Sequence, residues 1–475
     1  MNIHLVISQI NMIEFYHKHF QHNYTSKIKQ LTVDIERLLL IEGIEILTES
    51  HDYLKADYRL NLNSDLWSKV NILYETLFIN KSLISKTLKK FINKNNKNES
   101  SSFKFIDLFA GCGGLSKGLE ESGFKPVLVN EIEAKFLETY YFNHDLHLDC
   151  YECCDIKDLI TNKKRLKDNY RNIDLVVGGP PCQGFSMANR QRIIDDPRNR
   201  LYKDFLELLD IVRPKYFLME NVKGMINKSD EILNDFHMIL GPDYTIDITL
   251  LNAKDYGVPQ NRERVFVVGS SNSDVSSQSI VANISKNKSS KVVIKDALFG
   301  LPKLKPKTIK NSKNLENQDI GFKFTKYNLK GSKFVDGLNN NLIDYLSNHI
   351  NRYNNERDVE IFNTLPQGEN SLHNSIAHIM PYKNRNHIFK DKYFKLSEDR
   401  VSKTITSHMK FDCNMYIHPT QARGLSPREA ARIQTFPDDY VFMGANNSWY
   451  AQIGNAVPVK LASVIGQQII KNLND

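Results

Sequence analysis

Short apolar segments that alternate with helical stretches are the feature that most constrains this 475-residue chain. Strands joined by helices run parallel, because each helix carries the chain back to the edge where the previous strand began. The pattern therefore predicts an α/β fold, a doubly wound and largely parallel sheet covered by helices on both faces. Five strands are predicted: Phe103–Leu108, Pro126–Asn130, Ile173–Val177, Tyr216–Glu220 and Val265–Gly269.

The residues before this pattern predict a helical N-terminal extension over residues 1–95. Apolar residues recur there at helical spacing and form one face, which includes Ile28, Leu31 and Ile35. A second predicted helix carries lysines that suit DNA phosphates or, alternatively, form an ordinary solvated face: Lys81, Lys86, Lys89 and Lys90. The polar stretch Asn93–Ser102 is predicted to be a linker.

The residues after the pattern predict two further parts. Residues 276–420 are rich in Lys, Asn and Ser, with brief apolar segments, and are expected to form a smaller domain. Residues 421–475 are regular again and are expected to complete the domain formed by residues 103–275. Within them, Ser426, Pro427 and Glu429 predict a capped helix start, and Pro437 predicts its end.

Composition limits the class of protein. Hydrophobic residues make up 41% and charged residues 25%, as in ordinary globular proteins. The net charge of +8 suits a polyanionic partner such as nucleic acid. Six cysteines in so long a chain form no disulfide framework, so a reducing, cytoplasmic setting is expected. The start lacks the features of a signal peptide, and no apolar run approaches the ~18 residues that span a bilayer, so no membrane partner is predicted.

A glycine-rich motif, FIDLFAGCGG over residues 105–114, joins the first predicted strand to a helix. Glycines let the backbone approach a ligand closely, and a helix N-terminus favours negative charge. Glu131 follows the next strand, about twenty residues after Gly111, where an acidic side chain can bind both hydroxyls of a ribose. The motif indicates a nucleoside-containing cofactor or, alternatively, a tight turn without a ligand.

Three more motifs follow at strand ends. GGPPCQGFS, residues 178–186, places Cys182 on a loop at the carboxyl edge of the sheet, where ligands bind in open α/β folds. A cysteine there can be reactive, whereas most lone cysteines are small buried hydrophobes. Glu220 ends another strand, in ENV. Arg262 and Arg264 alternate in QNRER and so share a face. A surface ion pair is the alternative for each charged residue.

In this order, these motifs resemble those of the cytosine-5 DNA methyltransferases, together with GLSPREAARIQTFP at residues 424–437 and QIGNAVP at residues 452–458. The resemblance runs from about Phe103 to the C-terminus and does not cover the extension. It implies a DNA (cytosine-5-)-methyltransferase that uses S-adenosylmethionine and acts on double-stranded DNA, with residues 276–420 as the target-recognition domain. It also implies a prokaryotic restriction-modification system with a cognate restriction endonuclease, and a monomer or weak dimer.

The resemblance assigns roles in the reaction. Cys182 would add as a thiolate to C6 of cytosine, which makes C5 nucleophilic. Glu220 would hydrogen-bond N3 and the exocyclic amine, and Arg264, with Arg262 nearby, would hold O2 and stabilise negative charge. The base must leave the stack to react. Residues 424–437 would anchor the recognition domain to the catalytic core.

The resemblance also assigns binding residues. Those expected at S-adenosylmethionine are Phe109, Ala110, Gly111, Gly113, Gly114, Glu131, Ile132, Asp155, Ile156, Pro181, Leu201, Asn455 and Val457. Those expected at DNA are Gln183, Ser186, Arg190, Arg198, Thr404 and Thr406. The segment Ser186–Arg200 resembles the mobile loop that closes over DNA.

Three alternatives remain. A tRNA substrate would keep the chemistry, but the large variable segment and the lack of a tRNA-type signature argue against it. A catalytically silent DNA-binding regulator would have lost Cys182, Glu220 or the glycine loop, all of which are present. A metal site is suggested by residues at three-residue spacing, which would diverge around a helix, so no metal is predicted: His144, His147, Cys150 and Cys153.

Overall fold

The computed structural model describes residues 103–181, 200–271, 276–310, 316–327, 331–339, 345–381 and 391–474, together with ten residues between Met12 and Asp34. Those ten are helical. The predicted lysine-bearing helix and the linker lie outside the described residues, as do Cys182 and the expected DNA contacts Gln183, Ser186, Arg190 and Arg198. No helix in the described part of the chain is long and apolar enough to cross a membrane.

A seven-stranded sheet forms the centre of the fold, in the order β3-β2-β1-β4-β5-β7-β6. Its strands are β1 (Phe103–Leu108), β2 (Phe124–Asn130), β3 (Tyr151–Glu152), β4 (Leu175–Gly178), β5 (Tyr216–Val222), β6 (Thr245–Asn252) and β7 (Glu263–Ser270). Strands β1 to β5 pair in parallel, and β7 runs antiparallel to β5 and β6. The predicted α/β class is confirmed. Strands β3 and β6 were not among the five predicted.

Helices cover both faces of the sheet and continue beyond it. They are α1 (Gly114–Ser122), α2 (Ala134–Asn143), α3 (Ile156–Thr161), α4 (Lys163–Tyr170), α5 (Arg200–Val212), α6 (Ser229–Leu240), α7 (Ser277–Lys286), α8 (Ile294–Leu298), α9 (Lys333–Leu338), α10 (Glu356–Thr364), α11 (Pro427–Ile433), α12 (Asn446–Asn455) and α13 (Val459–Asn474). Ile106 and Val176 face a core shared with α3 to α6. Their neighbours Phe105 and Leu175 face α1, α7 and α13. This alternation is the period-2 pattern of strands buried on both sides.

The C-terminal helix α13 packs closely against α1. A Cβ at Gly118 would collide with the Val459 carbonyl oxygen and lie 2.5 Å from the Ala462 Cβ, so only glycine permits this approach. The end of the chain is thereby brought beside its first strand and the glycine-rich motif.

A second, two-stranded sheet lies within residues 276–420. Strands β8 (Gly321–Lys326) and β9 (Tyr345–Ile350) pair antiparallel. Helix α11 joins this region to the core. Its Arg428 donates to the Ser347 carbonyl on β9 at 2.8 Å, and its Arg432 donates to the Phe299 carbonyl at 2.6 Å. The predicted capping box of Ser426 and Glu429 is present, with proline in the first turn, and the helix ends four residues before Pro437.

Candidate functional site

A cavity of about 550 Å³ opens at the carboxyl ends of the parallel strands. It is lined by the loop after β1, the ends of β2 and β5, the start of β7 and the end of α12. Every residue expected at the cofactor lines it except Gly113, and so do Glu220, Arg262, Arg264 and Thr406. The structure thus brings the expected cofactor residues and the expected base-contacting residues into one chamber.

The loop after β1 is shaped by two residues in the left-handed region, Phe109 at φ 56° and Gly111 at φ 57°. A left-handed phenylalanine is unfavourable, and the surrounding structure must hold it in place. The Ala110 N–H donates to the Asn130 carbonyl at 3.0 Å, and the Gly111 N–H donates to Glu131 Oε2 at 2.8 Å. The loop is therefore fastened to the end of β2.

Glu131 is nine-tenths buried at the edge of this loop. Its Oε1 accepts a second backbone hydrogen bond, from the Glu133 N–H at 2.8 Å. Burial raises the pKa of Glu131, and the backbone hydrogen bonds oppose that rise. A carboxylate oxygen can accept more than one hydrogen bond. Glu131 therefore retains acceptor capacity toward the cavity, as binding to two hydroxyls requires.

Gly113 is the exception among the expected cofactor residues, because it faces the protein interior. At φ 89° a Cβ would lie 2.5 Å from His144 Nε2 and 2.7 Å from the Tyr440 hydroxyl oxygen. His144 Nδ1 in turn lies 2.7 Å from Glu120 Oε2. Gly113 thus makes room for a buried network beneath the loop. His144, from the candidate metal spacing, hydrogen-bonds within that network.

Asp155 also lines the cavity. Its Oδ1 accepts from the Lys157 N–H at 3.0 Å and caps helix α3. Arg200 also donates to both carboxylate oxygens, with Nη2–Oδ2 at 2.7 Å and Nη1–Oδ1 at 3.3 Å. The hydrogen bonds from Arg200 hold the pKa of Asp155 below its usual value. Beside it, the exposed side chain of Ile132 offers an apolar surface.

Glu220 and Arg264 form an ion pair at the other end of the chamber, with Nε–Oε1 at 2.9 Å. Burial raises the pKa of Glu220, and the nearby charges of Arg264 and Arg262 oppose this rise. A Cβ at position 179 would lie 3.2 Å from Glu220 Oε2, so the glycine leaves that oxygen accessible. Asn221 Nδ2 donates to the Pro180 carbonyl at 3.0 Å and ties the GGPP segment to β5.

Arg262 lines the cavity, but its two terminal nitrogens donate to backbone carbonyls elsewhere. It is buried, and its guanidinium donates to the Ile405 carbonyl at 2.7 Å and to the Gly454 carbonyl at 3.3 Å. Burial lowers its pKa to about 9. Arg262 therefore joins α12 to the segment that carries Thr404 and Thr406. Of these two expected DNA contacts, Thr406 reaches the cavity, whereas the Thr404 hydroxyl donates to the Asn261 carbonyl at 2.7 Å.

Asp107 is a cavity residue that the sequence reasoning missed. It lies in β1, is 1% exposed and accepts a hydrogen bond from the Ser116 hydroxyl at 2.5 Å. Burial raises its pKa to about 7. The available signal was a charged residue between the apolar residues Ile106 and Leu108.

The chain is similar to known proteins. The family model for C-5 cytosine-specific DNA methylases matches residues 103–471. Type II methyltransferase M.DdeI of Desulfomicrobium norvegicum is 34% identical, over 78% of this chain and 89% of its own. Type II methyltransferase M1.HphI of Haemophilus parahaemolyticus is 30% identical, over 79% and 88%.

A solved E. coli prophage protein described as a DNA modification methyltransferase superposes with a TM-score of 0.60 at 28% identity, over 79% of this chain and all of the other. Because the family model covers most of the chain and M.DdeI matches at 34% identity, the chain belongs to the C-5 cytosine-specific DNA methylase family and is a DNA (cytosine-5-)-methyltransferase.

Proposed function

We propose that this enzyme methylates C5 of one cytosine within a short, fixed sequence of double-stranded DNA, as the modification partner of a restriction endonuclease. The observation that carries the proposal is the shared chamber, in which the Glu131 end and the Glu220–Arg264 end open into the same cavity. The type II names of the relatives support the restriction-modification setting. We place the enzyme in a prokaryotic cytoplasm, where its DNA substrate lies.

The residues at the Glu131 end of the cavity fit S-adenosylmethionine, the methyl donor on which this family depends. Glu131 would accept hydrogen bonds from the two ribose hydroxyls, and Asp155 would accept one from the adenine amino group. Ile132, Ile156 and Leu201 supply apolar walls for the adenine ring. A cavity of about 550 Å³ lies within the range of small-ligand sites. When bound, S-adenosylmethionine supplies a methyl group activated by a positively charged sulfur.

Cys182 is the proposed nucleophile. Pro181, the residue before it, lines the cavity, which supports the placement of this loop at the reacting base. The thiolate would form a bond to C6, and the C5–C6 π electrons would then form the new bond from C5 to the methyl group as the methyl–sulfur bond breaks and leaves its electron pair on the sulfur. Loss of the C5 proton to a base and departure of the thiolate would restore the aromatic ring.

Glu220 and Arg264 would make that addition possible. Burial raises the pKa of Glu220, so its carboxyl would hold a proton more readily and would donate one to N3 of cytosine as C6 is attacked. Arg264 would hold O2 and stabilise the negative charge that develops on the ring. Both groups lie inside the chamber rather than on a surface that a paired base could reach. We therefore propose that the cytosine is flipped out of the duplex.

Residues 276–420 would form the second wall of a DNA cleft as the target-recognition domain. Lysine and arginine side chains would bind phosphates, and a few side chains would distinguish base edges. Thr406 lies where this region meets the cavity. Its position supports a contact with the DNA strand that carries the flipped base.

The test is bisulfite sequencing of DNA from a methylation-deficient host that expresses the wild-type chain, Cys182→Ala or Cys150→Ala. Cys150 does not line the cavity and serves as the matched control. We expect cytosines protected in one fixed motif with wild type and Cys150→Ala, and none with Cys182→Ala. A duplex with 5-fluorocytosine at that position should trap a denaturant-resistant adduct, because fluorine cannot leave as a proton does.

The contrary result is equally clear. Soluble protein that binds S-adenosylmethionine but protects no cytosine in DNA would refute the DNA proposal. Bisulfite sequencing of tRNA from the same cells would then test the tRNA alternative.

A further inference from the structure

We infer that the described helical residues between Met12 and Asp34 form a clamp that joins the catalytic core to the recognition domain and thereby fixes the width of the DNA cleft. The family model begins at residue 103, so the clamp is an addition to the shared fold. The inference rests on the proposed function for the roles of the two walls. It is carried by buried contacts that link Tyr16 and Lys27 to the core and Asp34 to the recognition domain.

One helical face of the extension packs on the core. Met12, Phe15, Tyr16 and His19 are helical and follow the i, i+3, i+4, i+7 spacing of a single face. Met12, Phe15 and Tyr16 are almost completely buried. The Phe15 ring stacks on Tyr141 of α2 with centroids 4.8 Å apart. These residues of the extension therefore pack on the core at α2.

A buried carboxylate on α2 receives two polar groups from the extension. The Tyr16 hydroxyl donates to Glu138 Oε1 at 2.6 Å, and Lys27 forms an ion pair with Glu138 Oε2. Glu138 is 1% exposed. A buried charge is costly without hydrogen-bonded partners, so this contact is specific rather than incidental. Burial and Glu138 together raise the pKa of Tyr16 well above its ordinary value, which keeps the hydroxyl protonated as a donor.

The same extension reaches the second wall through Asp34. This carboxylate, 1% exposed, forms an ion pair with Lys323 of β8 and accepts a hydrogen bond from Gln30 Nε2 at 3.2 Å. Lys27, Leu31 and Asp34 are helical at i, i+4, i+7 spacing and so share a face. Two positions seven apart on a helix lie roughly 10 Å from each other along its axis. One short helical face therefore pairs with the core at Lys27 and with the recognition domain at Asp34.

The two contacted elements lead directly to functional regions. Helix α2 follows Glu131 and Ile132 at the cavity rim, and its Thr139 accepts from the Met443 N–H at 2.8 Å. Strand β8 pairs with β9, which α11 binds at Ser347. The clamp thus connects the two walls by a route separate from α11. A cleft held at one width loses less conformational freedom when DNA binds.

Charge reversal in the full-length chain tests the clamp. Asp34→Lys and Lys323→Asp each place like charges together in a buried site, whereas the double variant restores an opposite pair. We expect each single variant to weaken binding of the cognate duplex at least tenfold, which appears as a higher KM for DNA. The kcat and the Kd for S-adenosylmethionine should each change less than twofold. The double variant should recover to within threefold of wild type.

Lys215→Asp is the matched control for charge. This substitution also reverses the sign of a charge, in the exposed pair that Lys215 forms with Asp174. Lys215 lies at the amino end of β5, whereas the cavity lies at the carboxyl ends of the parallel strands. It should leave DNA binding within twofold. Lys323→Met, which removes the charge but keeps an apolar stem, provides a second test if a reversal prevents folding.

Hydrogen exchange separates failure of the clamp from failure of the proposed function. Amides of α2, β8 and β9 should exchange faster in both single variants and regain protection in the double variant, whether or not the chain methylates DNA. Unchanged exchange and DNA affinity in the single variants would overturn the clamp. So would a double variant that fails to recover, or a parallel loss of S-adenosylmethionine affinity and kcat.

Discussion

Replacement of Asp107 by asparagine should remove a pH dependence from the stability of this enzyme. Asp107 is buried in the cavity floor, and burial raises its pKa from an ordinary 3.8 to about 7. The charge of Glu131 acts in the same direction, whereas the Ser116 hydrogen bond opposes it. Asparagine has nearly the same shape and can still accept from Ser116, but it does not titrate.

The sign and size follow from proton linkage. A carboxyl that binds its proton more tightly in the folded state stabilises the fold fully below pH 3.8, and this contribution is lost as pH rises toward about 7. Roughly three pKa units, at about 1.4 kcal/mol each, give about 4 kcal/mol across that range. Wild type should therefore lose about 4 kcal/mol more unfolding free energy than Asp107→Asn between pH 4 and pH 7.

Urea unfolding at half-unit pH steps measures this difference. Other buried groups that titrate, such as His349 and His418, are common to both proteins and cancel in the comparison. Asp243→Asn, an exposed carboxylate before β6, is the control and should behave like wild type. Parallel pH profiles for wild type and Asp107→Asn would refute the assignment of a raised pKa to this carboxyl.

Three further predictions concern the pocket and its support. Glu220→Gln keeps an acceptor for Arg264 but carries no acidic proton, so single-turnover methylation should slow roughly 10²–10⁴-fold, with the S-adenosylmethionine Kd from calorimetry unchanged; wild-type rates would contradict this role. Arg264→Met removes the main opposing charge, so the pKa of Glu220 should rise and its limb of the kcat/KM profile should move to higher pH; a shift to lower pH would contradict the sign. Gly118→Ala forces α1 away from Val459 and should cost about 1–3 kcal/mol in urea unfolding, whereas Gly337→Ala, whose Cβ meets nothing within 4 Å, should not; equal effects would contradict the packing argument.

The strands that could be predicted are those whose own residues show the apolar pattern of a buried strand. Strand β1 is bounded as predicted, because Phe105, Ile106 and Leu108 are apolar residues packed from both sides of the sheet. Strand β3 has two residues and exists through its pairing with Val129 and Asn130 of β2. Strand β6 lies at the sheet edge, largely half-exposed, and includes Asp247. Neither strand has the continuous apolar run that indicates a central strand.

The candidate site was predictable to the extent that strand ends converge. Glu131 and Glu220 follow or end parallel strands, and parallel strands place their carboxyl ends at one edge. The direction of a side chain within a loop has no such rule. Gly113 and Gly114 are adjacent, yet Gly114 lines the cavity and Gly113 faces His144. That difference depends on side chains such as His144 and Tyr440, which lie thirty or more residues further along the chain.

The two arginines of QNRER show why residue type alone does not decide which side chain takes part in chemistry. Arg264 lies inside β7, opposite Val222 of β5, and this register places its guanidinium beside Glu220, which also belongs to β5. Arg262 precedes β7 and meets the backbone carbonyls of Ile405 and Gly454 instead. Those acceptors lie 143 and 192 residues away in the chain. The two-residue spacing of Arg262 and Arg264 predicts that both reach the cavity, but it cannot predict that their partners differ. In the proposed reaction, Arg262 would position the walls of the chamber and Arg264 would stabilise charge within it.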